Sequence, residues 1–345
     1  MSNLSTRDKE KPLILIAAVI VGMVLNRWIS ESSAGLLHVV EIGVFIVILA
    51  VMLPVELVNV GRAFTKIKPT ALVLAVNFIF IPIFSWTVGR LLLNQYPDLW
   101  AGVILYTLTP CIGWYLIFTD LAEGNVPWGM ALLPWNITLQ IVLMPLYLYL
   151  LVGRVIPVEL TTLGRSIGFF LVAPFILSHF AQKLVIRRRG REYFFGPFKA
   201  AMGEVKLWAL VIVIVAMFAS QGALEAADAA QLGRLLLALI FFFLVLFGLA
   251  LVLGKVTRLS YEETVTMAFT TTARNSEAVI GVAVAAFPGH PLVYFAIILG
   301  PIVELPVLLF ISRALLSLRE RLWVAREPLV ASATAATSLE RTDGA

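Results

Sequence analysis

Residues 100–121 read WAGVILYTLTPCIGWYLIFTDL, an apolar run interrupted at its middle by Thr107, Thr109, Pro110 and Cys111. A helix needs roughly 20 apolar residues to cross a bilayer, and this run is long enough. Pro110 removes a backbone donor and clashes with the preceding turn, while Gly113 loosens the chain beside it. Two outcomes fit. One is a kinked span in which the cysteine packs as a small hydrophobe. The other is a true break, which exposes carbonyls and a half-helix N-terminus suited to holding a solute.

The rest of the chain has the same character. Of its 345 residues, 60% are hydrophobic and 14% charged, and the mean hydropathy is +0.96. A water-soluble domain of that size could not hide so much apolar surface. Runs long enough to span occur at about 12–30, 36–58, 70–94, 100–121, 126–152, 166–186, 205–222, 231–254, 262–287 and 291–317. The expectation is an all-α integral membrane protein of ten transmembrane helices, forming one domain over residues 1–320. The Ala-, Ser- and Thr-rich segment 321–345 reads as a disordered cytoplasmic tail.

Basic residues orient the spans. With both termini cytoplasmic, 20 of the 26 Lys and Arg fall on the cytoplasmic side and five outside, leaving Arg274 within a run. That asymmetry accounts for the net charge of +5 and makes a nucleic-acid partner unnecessary; the expected partner is the lipid bilayer of the cell membrane. Three histidines and one cysteine leave no disulfide framework and no multi-thiolate metal cluster. No phosphate-binding Gly-rich loop or hydrolytic triad is present, so neither an enzyme nor a cofactor is expected.

Five spans precede the middle of the chain and five follow. An odd number per half inverts the second relative to the first, the inverted repeat of secondary transporters. Repeat one would cover about 12–152 and repeat two about 166–317. Shifting the first half by 164 residues lays Pro127 on Pro291, Cys111 on Asn275, Thr107 on Thr271 and Gln140 on Glu304.

The counterpart of the first interruption is residues 270–277, Thr-Thr-Thr-Ala-Arg-Asn-Ser-Glu. A charge at bilayer depth is kept only where it is paired or lines a cavity. Arg274 and Glu277 share a helix face and can neutralise each other, either as a structural tie or as part of a polar cavity with Asn275. Asn136 and Gln140 lie one turn apart in the fifth run. Glu304, in Gly300-Pro-Ile-Val-Glu-Leu-Pro306, is a lone acid suited either to carrying a proton or to interhelical hydrogen bonding.

At Thr109-Pro-Cys111, Asn136, Asn275-Ser-Glu277 and 300–307 the chain resembles the Acr3-type arsenite efflux permeases of the bile acid/sodium symporter superfamily. The resemblance covers nearly all ten spans. It implies that helices 4 and 9 are broken and cross each other, and that Cys111 is the essential cysteine. Thr109, Asn136, Asn275 and Arg274 would join Cys111 at the substrate, with Glu277 and Glu304 as the proton-coupling acids. The acidic sodium ligand of the bile acid branch would fall near Thr270, a departure that points to protons instead. Arg274 departs too, since typical arsenite permeases have a neutral residue there; it would pair with Glu277 or stand as a fixed cation in place of a bound one. Chemistry agrees with a metalloid cargo, because one soft thiolate can bind trivalent arsenic and still release it. The expectation is a proton-coupled exporter of arsenite, with antimonite as a related cargo. The alternative is an organic-anion symporter that uses Arg274 to hold the anion; a non-transporting sensor is a third reading.

Overall fold

The computed structural model describes residues 34–53, 66–111, 114–156, 160–221, 228–287 and 289–322, together with most of 14–28. The first expected span is helical over residues 20–26, and the expected tail 321–345 lies almost wholly outside the described residues. The helices are α1 (Ala34–Met52), α2 (Ile67–Leu92), α3 (Pro97–Thr107), α4 (Trp114–Leu121), α5 (Val126–Tyr147), α6 (Ala173–Arg189), α7 (Lys199–Gln221), α8 (Ala229–Val256), α9 (Tyr261–Thr272), α10 (Ser276–Ala286) and α11 (Pro291–Leu322). Among the described residues, α2, α8 and the stretches containing α5, α6, α7 and α11 are each long and apolar enough to cross a membrane unaided.

Many large apolar side chains on these helices face outward, among them Ile83, Val142, Phe180, Ile212, Val252 and Phe310. In water they would be a liability; against lipid they are solvated. The interior is apolar as well, and its buried polar residues include Thr107, Thr109, Thr270, Thr271, Thr272, Arg274 and Asn275 at the two interruptions, with Asn136 and Gln140 on α5 and Glu304 on α11.

Both expected breaks are present. The fourth run is two helices, α3 and α4, and the ninth is α9 and α10. Pro110 accounts for the first break. The second has no proline, and its chain leaves the helix at Ala273, which is extended at φ −72°, ψ 138°. The basic stretch 183–206 is largely helical. Arg187, Arg188 and Arg189 form the last turn of α6, where cations suit the helix dipole. The chain then turns at Gly190, whose φ of +85° favours glycine.

Adding 164 to the ends of α2 and α3 gives 231, 256, 261 and 271, within two residues of the ends of α8 and α9. Contacts sort the helix ends into two groups. At one end Lys66 pairs with Glu263, and Arg319 pairs with Glu123 while lying over the Tyr261 ring. At the other, His290 Nδ1 lies 3.0 Å from Asp98 and Arg234 donates to Gln95. The contacts put Lys66 and Arg319 in one group and Arg234 in the other. They also place the starts of α3 and α9 in opposite groups.

α3 and α11 approach closely at Gly102, where a Cβ would lie 2.6 Å from the Val293 carbonyl. Backbone cannot yield there. Gly102→Val is expected to destabilise the protein by about 1–3 kcal/mol, read as a lower melting temperature of the purified protein in detergent.

Candidate functional site

The two breaks meet. Pro110 and Arg274 face each other in an antiparallel bridge, flanked by Cys111 N–H donating to the Ala273 carbonyl (3.1 Å) and Asn275 N–H donating to the Thr109 carbonyl (2.9 Å). Under the 164-residue offset, 109, 110 and 111 correspond to 273, 274 and 275, so the crossing is symmetric about Pro110 and Arg274. The Thr109 hydroxyl ties it further, shared between the Tyr106 and Asn275 carbonyls at 3.0 and 2.9 Å.

Arg274 is only 2% exposed. Its Nη1 donates to the Thr107 carbonyl at 3.0 Å and its Nε to the Thr272 carbonyl at 3.3 Å. Nη2 donates to the Thr271 carbonyl and to Asn77 Oδ1 at 3.2 Å. Thr107 ends α3, and Thr271 and Thr272 end α9. Terminal carbonyls of a helix have no partner in the helix itself. One guanidinium therefore caps both half-helices at their negative ends.

Glu304, also 2% exposed, reaches the crossing from α11. Its Oε1 accepts the Arg274 backbone N–H at 3.1 Å, and its Oε2 accepts from the Tyr106 hydroxyl. Of the two roles open to Glu304, the interhelical hydrogen bonds are thus observed. The side chain of Glu277 lies outside the described residues.

Asn77 extends the network. It sits in a π turn of α2 (Val76–Phe80), where the extra residue shifts the direction of the side chains. A guanidinium can only donate, so Asn77 must present its oxygen to Arg274. Its Nδ2 then faces Asn136 Oδ1 (3.3 Å) and the Thr270 carbonyl (3.4 Å). Asn136 is left with its Nδ2 outward, and that atom is buried without a partner among the described residues, as is Gln140 Oε1. One turn of α5 thus carries a free donor and a free acceptor.

Cys111 is buried and in no disulfide among the described residues, packed in an apolar cluster with Tyr115, Phe118, Leu132 and Phe269. Of the expected site residues, Thr109, Cys111, Arg274, Asn275 and Glu304 come together at the crossing, and Asn136 joins through Asn77. Sequence reasoning missed Asn77 and the hydroxyl of Tyr106. Asn77 had a partial signal, as the one amide within 67–92, though nothing marked its aim; Tyr106 had none, because tyrosine is ordinary in a span.

Long apolar helices around a buried pair of crossed half-helices define a multi-pass membrane protein. The chain belongs to the Sodium Bile acid symporter family, whose model matches residues 41–227, and it is a membrane transporter. It is 27% identical over 360 residues to the arsenical-resistance protein Acr3 of Corynebacterium glutamicum, covering 98% of this chain and 96% of that protein. It is 24% identical over 320 residues to the Acr3 protein of Alkaliphilus metalliredigens, covering 88% and 87%. A transporter of Synechocystis with no stated cargo is 22% identical over 352 residues, covering 93% and 91%.

Asn77→Ala removes an acceptor from Arg274 and a donor from Asn136. A loss of about 1–3 kcal/mol is expected, the range for a buried polar group stripped of its partner, and thermal melting in detergent measures it.

Proposed function

We propose that this chain exports trivalent arsenic as its neutral hydroxide, with antimonite as a second cargo, in exchange for protons and by alternating access. The observation that carries the reading is a buried thiol, Cys111, at the crossing of two half-helices in a chain akin along most of its length to two arsenical-resistance proteins. A single thiolate is a soft donor that takes arsenic by displacing a hydroxide and returns it readily. Asn136 Nδ2 and Gln140 Oε1 supply what the remaining hydroxyls of such a cargo need, one donor and one acceptor. Thr109 and Asn275 hold the crossing in which Cys111 sits. Glu304, and Glu277 on α10, are the acids assigned to the proton.

This reading includes a ten-span bundle of two inverted five-helix repeats in the cell membrane, with both termini cytoplasmic and residues 1–320 as one transmembrane domain. The matching ends of α2 with α8 and of α3 with α9 support the repeat, as does the symmetry of the crossing. Residues 321–345 would form a disordered tail. An organic-anion symporter using Arg274 is not favoured, since the protein's own oxygens take four of the five guanidinium N–H groups.

Cys111→Ser should lower arsenite uptake into everted vesicles at least about tenfold, the ratio set by 1.4 kcal/mol of lost binding, while membrane insertion persists. Undiminished arsenite flux in that variant would defeat the metalloid assignment. Glu304→Gln tests the coupling. Net export driven by a pH gradient should fall to background while arsenite–arsenite exchange continues; gradient-driven export at the native rate would remove Glu304 from the proton path.

A further inference from the structure

The oxygens around Arg274 form a set that oxygen-seeking cations favour. Three are backbone carbonyls, those of Thr107, Thr271 and Thr272, and the fourth is the amide oxygen of Asn77. The carbonyls terminate two helices whose negative dipole ends converge on one point. Neutral oxygens at the ends of interrupted helices are the usual ligands of alkali cations in membrane carriers. Here the point is filled from within, by a side chain that cannot lose its charge.

We propose that the Arg274 guanidinium is a built-in cation, filling a four-oxygen site that would otherwise take a monovalent alkali cation and freeing the transporter from any need for one. Charge decides the class of ion. The crossing is built around one fixed positive charge, with the Glu304 carboxylate accepting the Arg274 backbone N–H beside it. A monovalent ion restores that balance and a divalent ion overshoots it. Geometry agrees, because the guanidinium is fixed through its donors to α2, α3 and α9 at once, joining the elements a bound ion would join. The proposal concerns the crossing alone and stands apart from the identity of the cargo.

Thermal melting of the purified protein in detergent, followed by tryptophan fluorescence, tests it without any cargo. Chloride salts of choline, sodium and lithium are compared at equal ionic strength. Wild type and Arg274→Lys, which both keep a tethered charge, should melt at the same temperature in all three. Arg274→Ala and Arg274→Gln should melt lower in choline. Sodium or lithium should raise them saturably, by at least about 4 °C at concentrations well above the dissociation constant. Recovery of folded Ala or Gln variants from sodium buffers but not from choline would equally support the site. Folded Ala and Gln variants indifferent to all three salts would overturn it. If neither variant folds in any salt, the wild type decides: saturable stabilisation by sodium refutes the proposal, and indifference upholds it. Failure here would leave the Cys111 assignment untouched, and failure of Cys111→Ser would leave this one untouched.

Discussion

A helix interrupted inside hydrocarbon leaves carbonyls that water cannot reach, and each unsatisfied group costs several kcal/mol there. The structure of this transporter follows from how that cost is met. Two interruptions are placed against each other, so that Cys111 with Ala273 and Asn275 with Thr109 pair their peptides as a short antiparallel ladder. The remaining carbonyls at the ends of α3 and α9 are gathered on one guanidinium. Neither half-helix could end where it does without the other half of the chain, which makes the crossing a mutual requirement.

The guanidinium also gives the surrounding network a direction. Amides can ordinarily be turned either way, but a donor-only partner leaves Asn77 one choice. That choice passes to Asn136, whose oxygen faces Asn77 and whose nitrogen faces away. Arg274 therefore decides at a distance which end of a neighbouring amide is left without a partner. In the proposed cargo site the thiol would contribute softness and the amide polarity, and only the second would depend on the charge at the crossing.

Much of this was legible in the sequence. Pro110 in the middle of an apolar run is visible as a break, and the Thr-rich segment before Glu277 is visible as its counterpart, since polar residues at bilayer depth need a reason. The direction in which Arg274 points was not legible. Helical spacing offered Glu277 as a partner; the side chain of Glu277 lies outside the described residues, and spacing rules hold only within a continuous helix, whereas α9 ends at Thr272. Once the chain turns extended at Ala273, the side chain reaches back over terminal carbonyls that no sequence pattern marks. Asn77 was missed for a related reason: a π turn re-aims a residue without any signature in composition.

The centre of the crossing sets a proline against an arginine, and that difference bears on which polar groups nearby are left without a partner. Residues 164 apart are Pro110 and Arg274, and likewise Gln140 and Glu304. In the second half, Glu304 Oε1 accepts the backbone N–H of Arg274. The corresponding partner for Gln140 would be the backbone N–H of residue 110, and proline has none. Gln140 Oε1 is buried without a partner among the described residues, as that substitution requires. The same proline that breaks the span thus withholds a donor from the helix beside it. An acceptor that a symmetric chain would have satisfied internally is left over, and under the proposed function it is the one a hydroxyl of the cargo would meet.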